Sequence, residues 1–221
     1  INQGEKIALL GESGSGKSTL ISIANGSLFP SQGEVRWKGM ELKCLHRKHR
    51  IDIATLWQDL RLVEELNVGQ NINVGALGNH GLLWAIRNLI TTIDTKSCLS
   101  CLKAVSLPKS IISSKISQLS GGQRQRVAIA RLLRQPSQLI LADEPLSNLD
   151  PTLAKAMLKL LIESRTSDSI NIPDTCLISL HRPDLIFHFT RIIGLKKGKL
   201  VIDVPAKKLT TSSVEMLYKN T

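Results

Sequence analysis

A chain of 221 residues is long enough for one substantial core, or for one α/β domain with a smaller helical insert, and two independent domains would be a squeeze. Hydrophobic residues at 42% and charged residues at 21% exclude a disordered chain, and no run of about 18 apolar residues exists to span a bilayer. The formal net charge of +11 favours an anionic partner, whether nucleotide, nucleic acid or an acidic membrane surface, while aromatics at 3% leave few stacking platforms for single-stranded nucleic acid.

The chain opens at Ile1, carries no visible secretory signal and reaches a glycine-rich loop almost at once, so residues upstream are expected to be missing. Residues 5–10 (EKIALL) read as a strand and residues 17–25 as the helix after the loop. Between them Gly11, Glu12, Ser13, Gly14, Ser15, Gly16, Lys17 and Ser18 fit G-x-x-x-x-G-K-[ST] at every fixed position, inside the strand–loop–helix frame that a phosphate-binding loop requires. Glycines let backbone N–H groups converge on phosphate oxygens, and the helix directs its positive end to the same place. Lys17 is predicted to bridge the β- and γ-phosphates and Ser18 to ligate Mg²⁺, with Thr19 ending the nucleotide-binding stretch.

Residues 33–38 and 52–57 alternate as strands, and the basic run from His46 to Arg50 reads as a solvated loop. From residue 64 to 105 the texture turns helical, with Leu82, Leu83, Ile86, Leu89, Ile90 and Ile93 at spacings of three and four. A helical insert over residues 60–118 is the expectation. The four cysteines, Cys44, Cys98, Cys101 and Cys176, do not make a disulfide framework and suit a reducing compartment. Cys98 and Cys101 form a C-x-x-C inside a continuous helical pattern, with no second such pair or histidine pair at metal spacing, so a packing role is expected.

Leu119, Ser120, Gly121, Gly122 and Gln123 then open a helix running to about residue 134. Ser120 can cap it, Gln123 stands at the capping-box position, and the glycines leave N–H groups open for a second anion, read as a γ-phosphate. Residues 138–142 (QLILA) are a buried strand ending in Asp143 and Glu144, so both acids emerge at the carboxyl edge where ligands of open α/β sheets sit. Asp143 is predicted to hold the magnesium shell, and Glu144 to orient or deprotonate the attacking water. Asp150 before Pro151 starts a helix to about residue 164, and strands follow at 175–180, 190–195 and 199–204. Strands alternating with helices predict a mainly parallel sheet covered on both faces.

The loop from Gly11 to Ser18, the Leu119 to Gln123 segment and the Asp143–Glu144 pair, in that order and spacing, resemble the ATP-binding cassette (ABC) ATPases of transporters over nearly the whole chain. The resemblance implies a single α/β domain over residues 1–221: a P-loop NTPase core with a mainly parallel sheet, N-terminal antiparallel strands that are partly missing, and an inserted helical subdomain. ATP and Mg²⁺ are the implied cofactors. Gln58 matches the glutamine that senses Mg²⁺ and the water, residues 147–150 (SNLD) match the loop that crosses the dimer, and His181 matches the γ-phosphate histidine. The implied catalytic set is thus Glu144, His181, Lys17 and Gln58, and the implied metal set is Ser18, Gln58 and Asp143.

In that family two cassettes face head to tail, so the phosphate loop of one and the Ser-Gly-Gly of the other enclose each ATP. The implied partners are a second ATPase subunit, two membrane permease subunits and, indirectly, a solute-binding protein, with no nucleic acid; the implied place is the cytoplasmic face of the membrane, peripherally bound. Residues 68–89 and 191–205 look like the phosphonate-importer branch and imply uptake of a phosphonate or a related phosphorus oxyanion. The chain departs from the pattern at Asn148, where a small residue is usual, at Arg182, where glutamine is common, and at Val204, which replaces a glycine. The adenine-stacking aromatic of the family lies upstream of the phosphate loop, on a strand expected to precede Ile1. The rival readings are a cassette for another small solute (amino acid, phosphate or metal), a soluble ABC-type ATPase acting on nucleic acid or ribosomes, and a non-hydrolysing regulator. The long coiled-coil inserts of DNA-maintenance members and the paired cassettes of translation-type members are both missing from the sequence.

Overall fold

The computed structural model describes residues 1–163, 165–167, 170–181 and 183–218. Arg182, one of the departures noted above, and Ser164, the predicted end of a helix, lie outside them. The chain starts with β1 (Lys6–Leu10) and α1 (Lys17–Ala24), then a small hairpin of β2 (Arg36–Trp37) and β3 (Met40–Glu41), the short α2 (Arg47–Arg50), and β4 (Ile53–Leu56). The helices α3 (Val68–Val74), α4 (Leu82–Ile90) and α5 (Thr95–Ala104) follow, ahead of α6 (Gly121–Leu133), β5 (Leu139–Ala142) and α7 (Pro151–Ile162). A second small hairpin, β6 (Arg165–Ser167) with β7 (Ile170–Ile172), precedes β8 (Thr175–Ser179), β9 (Arg191–Lys196), β10 (Lys199–Pro205) and α8 (Thr211–Tyr218).

The main sheet has the order β10-β9-β1-β8-β5-β4. Its strands from β9 to β4 run parallel, and only β10 is antiparallel, because the two-residue turn at Lys197 and Gly198 sends it straight back along β9. Period-two alternation sorts β1 onto two cores: Ile7 and Leu9 pack with Ile21 of α1, while Ala8 and Leu10 join the larger cluster containing Val127 of α6 and Leu158 of α7. Both faces of the sheet are therefore covered, as its near-continuous apolar strands require. Among the described residues no helix is long and apolar enough to cross a membrane.

Two expectations about elements change. The strand at 33–38 shrinks to Arg36–Trp37, because Gly33 has φ +80 and the chain reverses at Lys38 and Gly39, both in the left-handed region. The apolar positions of α4 mark a helix, but its apolar side is the outer one. Leu82, Leu83, Leu89 and Ile90 are exposed, and the buried residue is Asn88. Polar groups hold that inner face: Gln70 Nε2 donates to the carbonyls of Asn88 at 2.7 Å and Leu89 at 3.0 Å, and Asn73 Nδ2 donates to Asn88 Oδ1 at 2.9 Å. The Asn88 side chain in turn donates to the Gln70 carbonyl at 3.1 Å. Each of these amides is satisfied, so polar contacts help to hold α4 on α3.

Candidate functional site

The phosphate-loop residues join the carboxyl end of β1 to the start of α1. Gly11 (φ +150), Gly14 (φ +78) and Gly16 (φ +101) take backbone angles that side chains resist. At Gly11 space forbids one as well, since a Cβ there would stand 2.4 Å from the Leu195 carbonyl oxygen and 2.5 Å from Ser15 Oγ. The loop is braced from outside by Gly198 N, which donates to the Ser15 carbonyl at 3.1 Å. Lys17 is 4% exposed and curls over the loop, its Nζ donating to the carbonyls of Gly11 at 2.8 Å and Glu12 at 2.9 Å. Burial pushes its ammonium below the usual lysine range, and the negative charges of Glu144 and Asp143 offset part of that shift. Ser18 and Thr19 are exposed at the first turn of α1, whose amino end has no side-chain cap. Its N–H groups are open to an anion, and the Ser15 hydroxyl is buried without a protein partner.

The acids stand at the carboxyl edge of the neighbouring strands. β5 is buried along its whole length, and Asp143 just past it is 2% exposed. Ser179, the last residue of β8, clamps the pair: its hydroxyl donates to Asp143 Oδ1 at 2.7 Å and accepts from Glu144 N at 2.8 Å. Glu144 has φ +49, an angle a glutamate adopts only when its surroundings enforce it. His181 Nε2 contacts Glu144 Oε1 directly. The ladder pairs Leu56 with Ala142, so Gln58 leaves β4 beside the acids and is exposed there. Lys17, Asp143, Glu144, His181, Gln58 and Ser18 therefore share one edge of the sheet.

Ser120, Gly121, Gly122 and Gln123 form the amino end of α6 with a complete capping box: Ser120 Oγ accepts from Gln123 N at 3.2 Å and Gln123 Oε1 from Ser120 N at 2.9 Å. Gly121 is exposed. Among the described residues no hydrogen bond joins this end to the phosphate loop. A cavity of about 980 Å³ at the amino ends of β5 and β8, lined by Trp37, Leu139 and Thr175, holds none of the predicted site residues.

Two supporting residues have no motif of their own. Ser179 is one: a serine ending an apolar strand gives no sign of its partners. Arg131 is the other; its guanidinium donates to the carbonyls of Leu60 and Arg61, two residues with positive φ just after Gln58. Arg61 also lies 3.7 Å over the Trp57 ring, so the turn after Gln58 is held from two sides. The cysteine pair plays no part in the site. Cys98 and Cys101 are fully buried in α5, and burial pushes their thiols up to about 12 and about 11.

The donor set suits the cofactors. Mg²⁺ takes oxygen ligands and retains several from water and phosphate, which matches one carboxylate at Asp143 and one hydroxyl at Ser18 better than a full protein cage. Among the described residues no group of three or more His, Cys, Asp or Glu gathers to make such a cage. A bare helix end and a glycine loop suit a polyphosphate.

Comparison with known proteins agrees with this geometry. The ABC transporter family model matches residues 1–147. The phosphonates import ATP-binding protein PhnC of Lactococcus lactis subsp. lactis (strain IL1403) is 38% identical over 229 residues, spanning 99% of this chain and 89% of that protein. PhnC 3 of Halalkalibacterium halodurans is 34% identical over 99% of this chain and 84% of its own length. Among solved structures, the dimeric ATP-binding cassette MJ0796 in a post-hydrolysis state with ADP and Pi superposes with a TM-score of 0.80 at 30% identity, covering 95% of this chain and 88% of that one. The cbiO1 cassette from Clostridium perfringens, part of the transporter complex cbiONQ, gives 0.71 at 28% identity over 94% and 80%. A glycine loop, an acid pair and a capped glycine-rich helix end on one such fold lead to one assignment: the chain belongs to the ABC transporter family, as an ATP-binding cassette ATPase similar to phosphonate-import members of it.

Proposed function

We propose that this ATPase energises import of a phosphonate or a related phosphorus oxyanion, working as a homodimer beneath two permease subunits at the cytoplasmic face of the membrane. The observation that carries the two-copy reading is the separation of its anion-binding ends: the loop from Gly11 to Ser18 lies with the acids, and Ser120 to Gln123 opens elsewhere. Each ATP is then enclosed by the loop of one copy and the α6 end of the other. Bound Mg²⁺ would neutralise charge developing on the phosphates.

The residues divide the work by position. Asp143, Ser18 and Gln58 offer oxygen ligands on the loop side. Lys17 leaves the Gly11 and Glu12 carbonyls to reach the β- and γ-phosphates, which also relieves the burial of its charge. Glu144 orients the attacking water and takes its proton, with His181 holding the carboxylate in place. The exposed apolar side of α4 and the turn after Gln58 are the surfaces offered to the permease. Support for the substrate is the similarity to PhnC proteins along nearly the entire chain.

The test is steady-state hydrolysis. Purified protein is expected to hydrolyse ATP with Mg²⁺, Lys17→Ala to lose turnover, and Glu144→Gln to bind ATP and dimerise without turnover. Unchanged hydrolysis in both variants sinks the mechanism. Reconstitution with its permease should give ATP-dependent phosphonate uptake. Uptake of another solute alone removes the substrate reading, and nucleic-acid binding that survives physiological salt removes the transporter reading.

A further inference from the structure

The last turn of α8 is fixed beside the phosphate loop. Leu217 is fully buried, and its two Cδ atoms stand 3.0 and 3.1 Å from where a Cβ on Gly194 of β9 would be, so a glycine on the strand is what lets the helix approach. Close by, Lys196 Nζ donates to the Met216 carbonyl at 2.7 Å. The sheet pairs Gly194 with Leu10, the residue before Gly11. Tyr218, the final residue of α8, therefore meets the loop where it leaves β1. Its ring packs on the core, and its hydroxyl is buried without a hydrogen-bond partner. Burial raises the pKa of that phenol, the nearby Gly11 N–H opposes the rise, and the Glu12 charge adds to it. The Ser15 hydroxyl, also buried and unpaired, is the loop's own neighbour to Gly11, 2.5 Å from the Cβ that Gly11 lacks.

We propose that Tyr218 is a positioning residue for the phosphate loop: when Lys17 turns from the Gly11 and Glu12 carbonyls to the phosphates of ATP, the Tyr218 hydroxyl takes hold of the same segment, accepting from Gly11 N–H and donating to the Glu12 carboxylate. This rests on the reading of Lys17 given above. Lys17 Nζ ties those two carbonyls at 2.8 and 2.9 Å, so its departure removes two bonds from a stretch whose first residue stands at φ +150. A hydroxyl can donate and accept at once, which suits it to replace them. A buried hydroxyl with no partner costs stability, and phenylalanine would fill the same space without that cost. The oxygen is therefore placed for an arrangement of the loop in which it is used. Leu217 and the Lys196 bond anchor α8 to β9, so the hydroxyl is presented from a rigid strand.

The experiment is Tyr218→Phe, which keeps the ring and removes the oxygen. Hydrolysis is followed against ATP concentration with Mg²⁺ for kcat and KM, beside a thermal melt without nucleotide. The melt is expected to stay level or rise slightly, because the oxygen removed has no partner. KM should rise by about fivefold with kcat within about twofold of the parent, as for a contact held equally in the ground and transition states. Met216→Ala, a change at an exposed position on the same turn, should move neither kinetics nor melt. An unmoved KM in Tyr218→Phe overturns the proposal. So does a lowered melt without nucleotide, which would make the hydroxyl part of the packing. Unchanged turnover in Lys17→Ala removes the reading of Lys17 and this proposal with it; lost turnover in Lys17→Ala beside an unmoved KM in Tyr218→Phe removes this proposal alone.

Discussion

Ser179 touches both acids that follow β5, and it is fully buried. Removing its hydroxyl leaves a carboxylate oxygen of Asp143 and the Glu144 N–H without their protein partner, which costs about 1–3 kcal/mol. Because the clamp sets where Asp143 points, Ser179→Ala is expected to raise the Mg²⁺ concentration needed for half-maximal hydrolysis by about tenfold, with a smaller change in stability. An Mg²⁺ titration of activity beside a thermal melt checks this; a melt change with an unmoved Mg²⁺ midpoint would show a packing role only. Lys17 was legible at this scale because its motif fixes its surroundings. Ser179 was not, because its partners lie 35 and 36 residues away in sequence.

At the scale of elements, α4 shows how periodicity finds a helix without saying which way it faces. Leu82, Leu83, Ile86, Leu89 and Ile90 form the apolar side, and ordinarily that side would be inward. Here Gln70, Asn73 and Asn88 hold the inner side instead, leaving the apolar side exposed. Leu83→Asp is therefore expected to change the melting free energy by less than about 0.5 kcal/mol, as for an exposed site, while weakening co-purification with the permease. Asn88→Leu should do the reverse: remove the acceptor of Asn73 Nδ2 and the donor to the Gln70 carbonyl, destabilise by about 1–3 kcal/mol and show it in denaturant unfolding. Equal effects of the two changes would refute the inside-out arrangement. The shortened β2 carries the same lesson, since Gly33 and the Lys38–Gly39 reversal end a strand that alternation alone would extend.

Across the whole molecule, the cysteines report on different elements around one core. Cys176 lies in β8 at the middle of the sheet and Cys98 and Cys101 in α5, all buried with raised thiols, whereas Cys44 is exposed. In native buffer near pH 8, an alkylating reagent should modify Cys44 and spare the other three, since burial both blocks access and suppresses the thiolate. In mild denaturant Cys98 and Cys101 should react before Cys176, because the helices around them pack partly through amides while the sheet is apolar on both faces. Mass spectrometry of labelled peptides reads the order, and simultaneous modification would mean that the chain opens as one unit. By itself the sequence determined the parallel α/β class, the phosphate loop, the acid pair and the α6 cap, because each depends on short-range geometry: a strand, a turn and the first turn of a helix. Tertiary structure alone decided the Ser179 clamp, the approach of Tyr218 to the phosphate loop, and the outward apolar side of α4. Those depend on which strands and helices become neighbours, and a hydrogen bond between distant residues leaves no period or spacing in the chain.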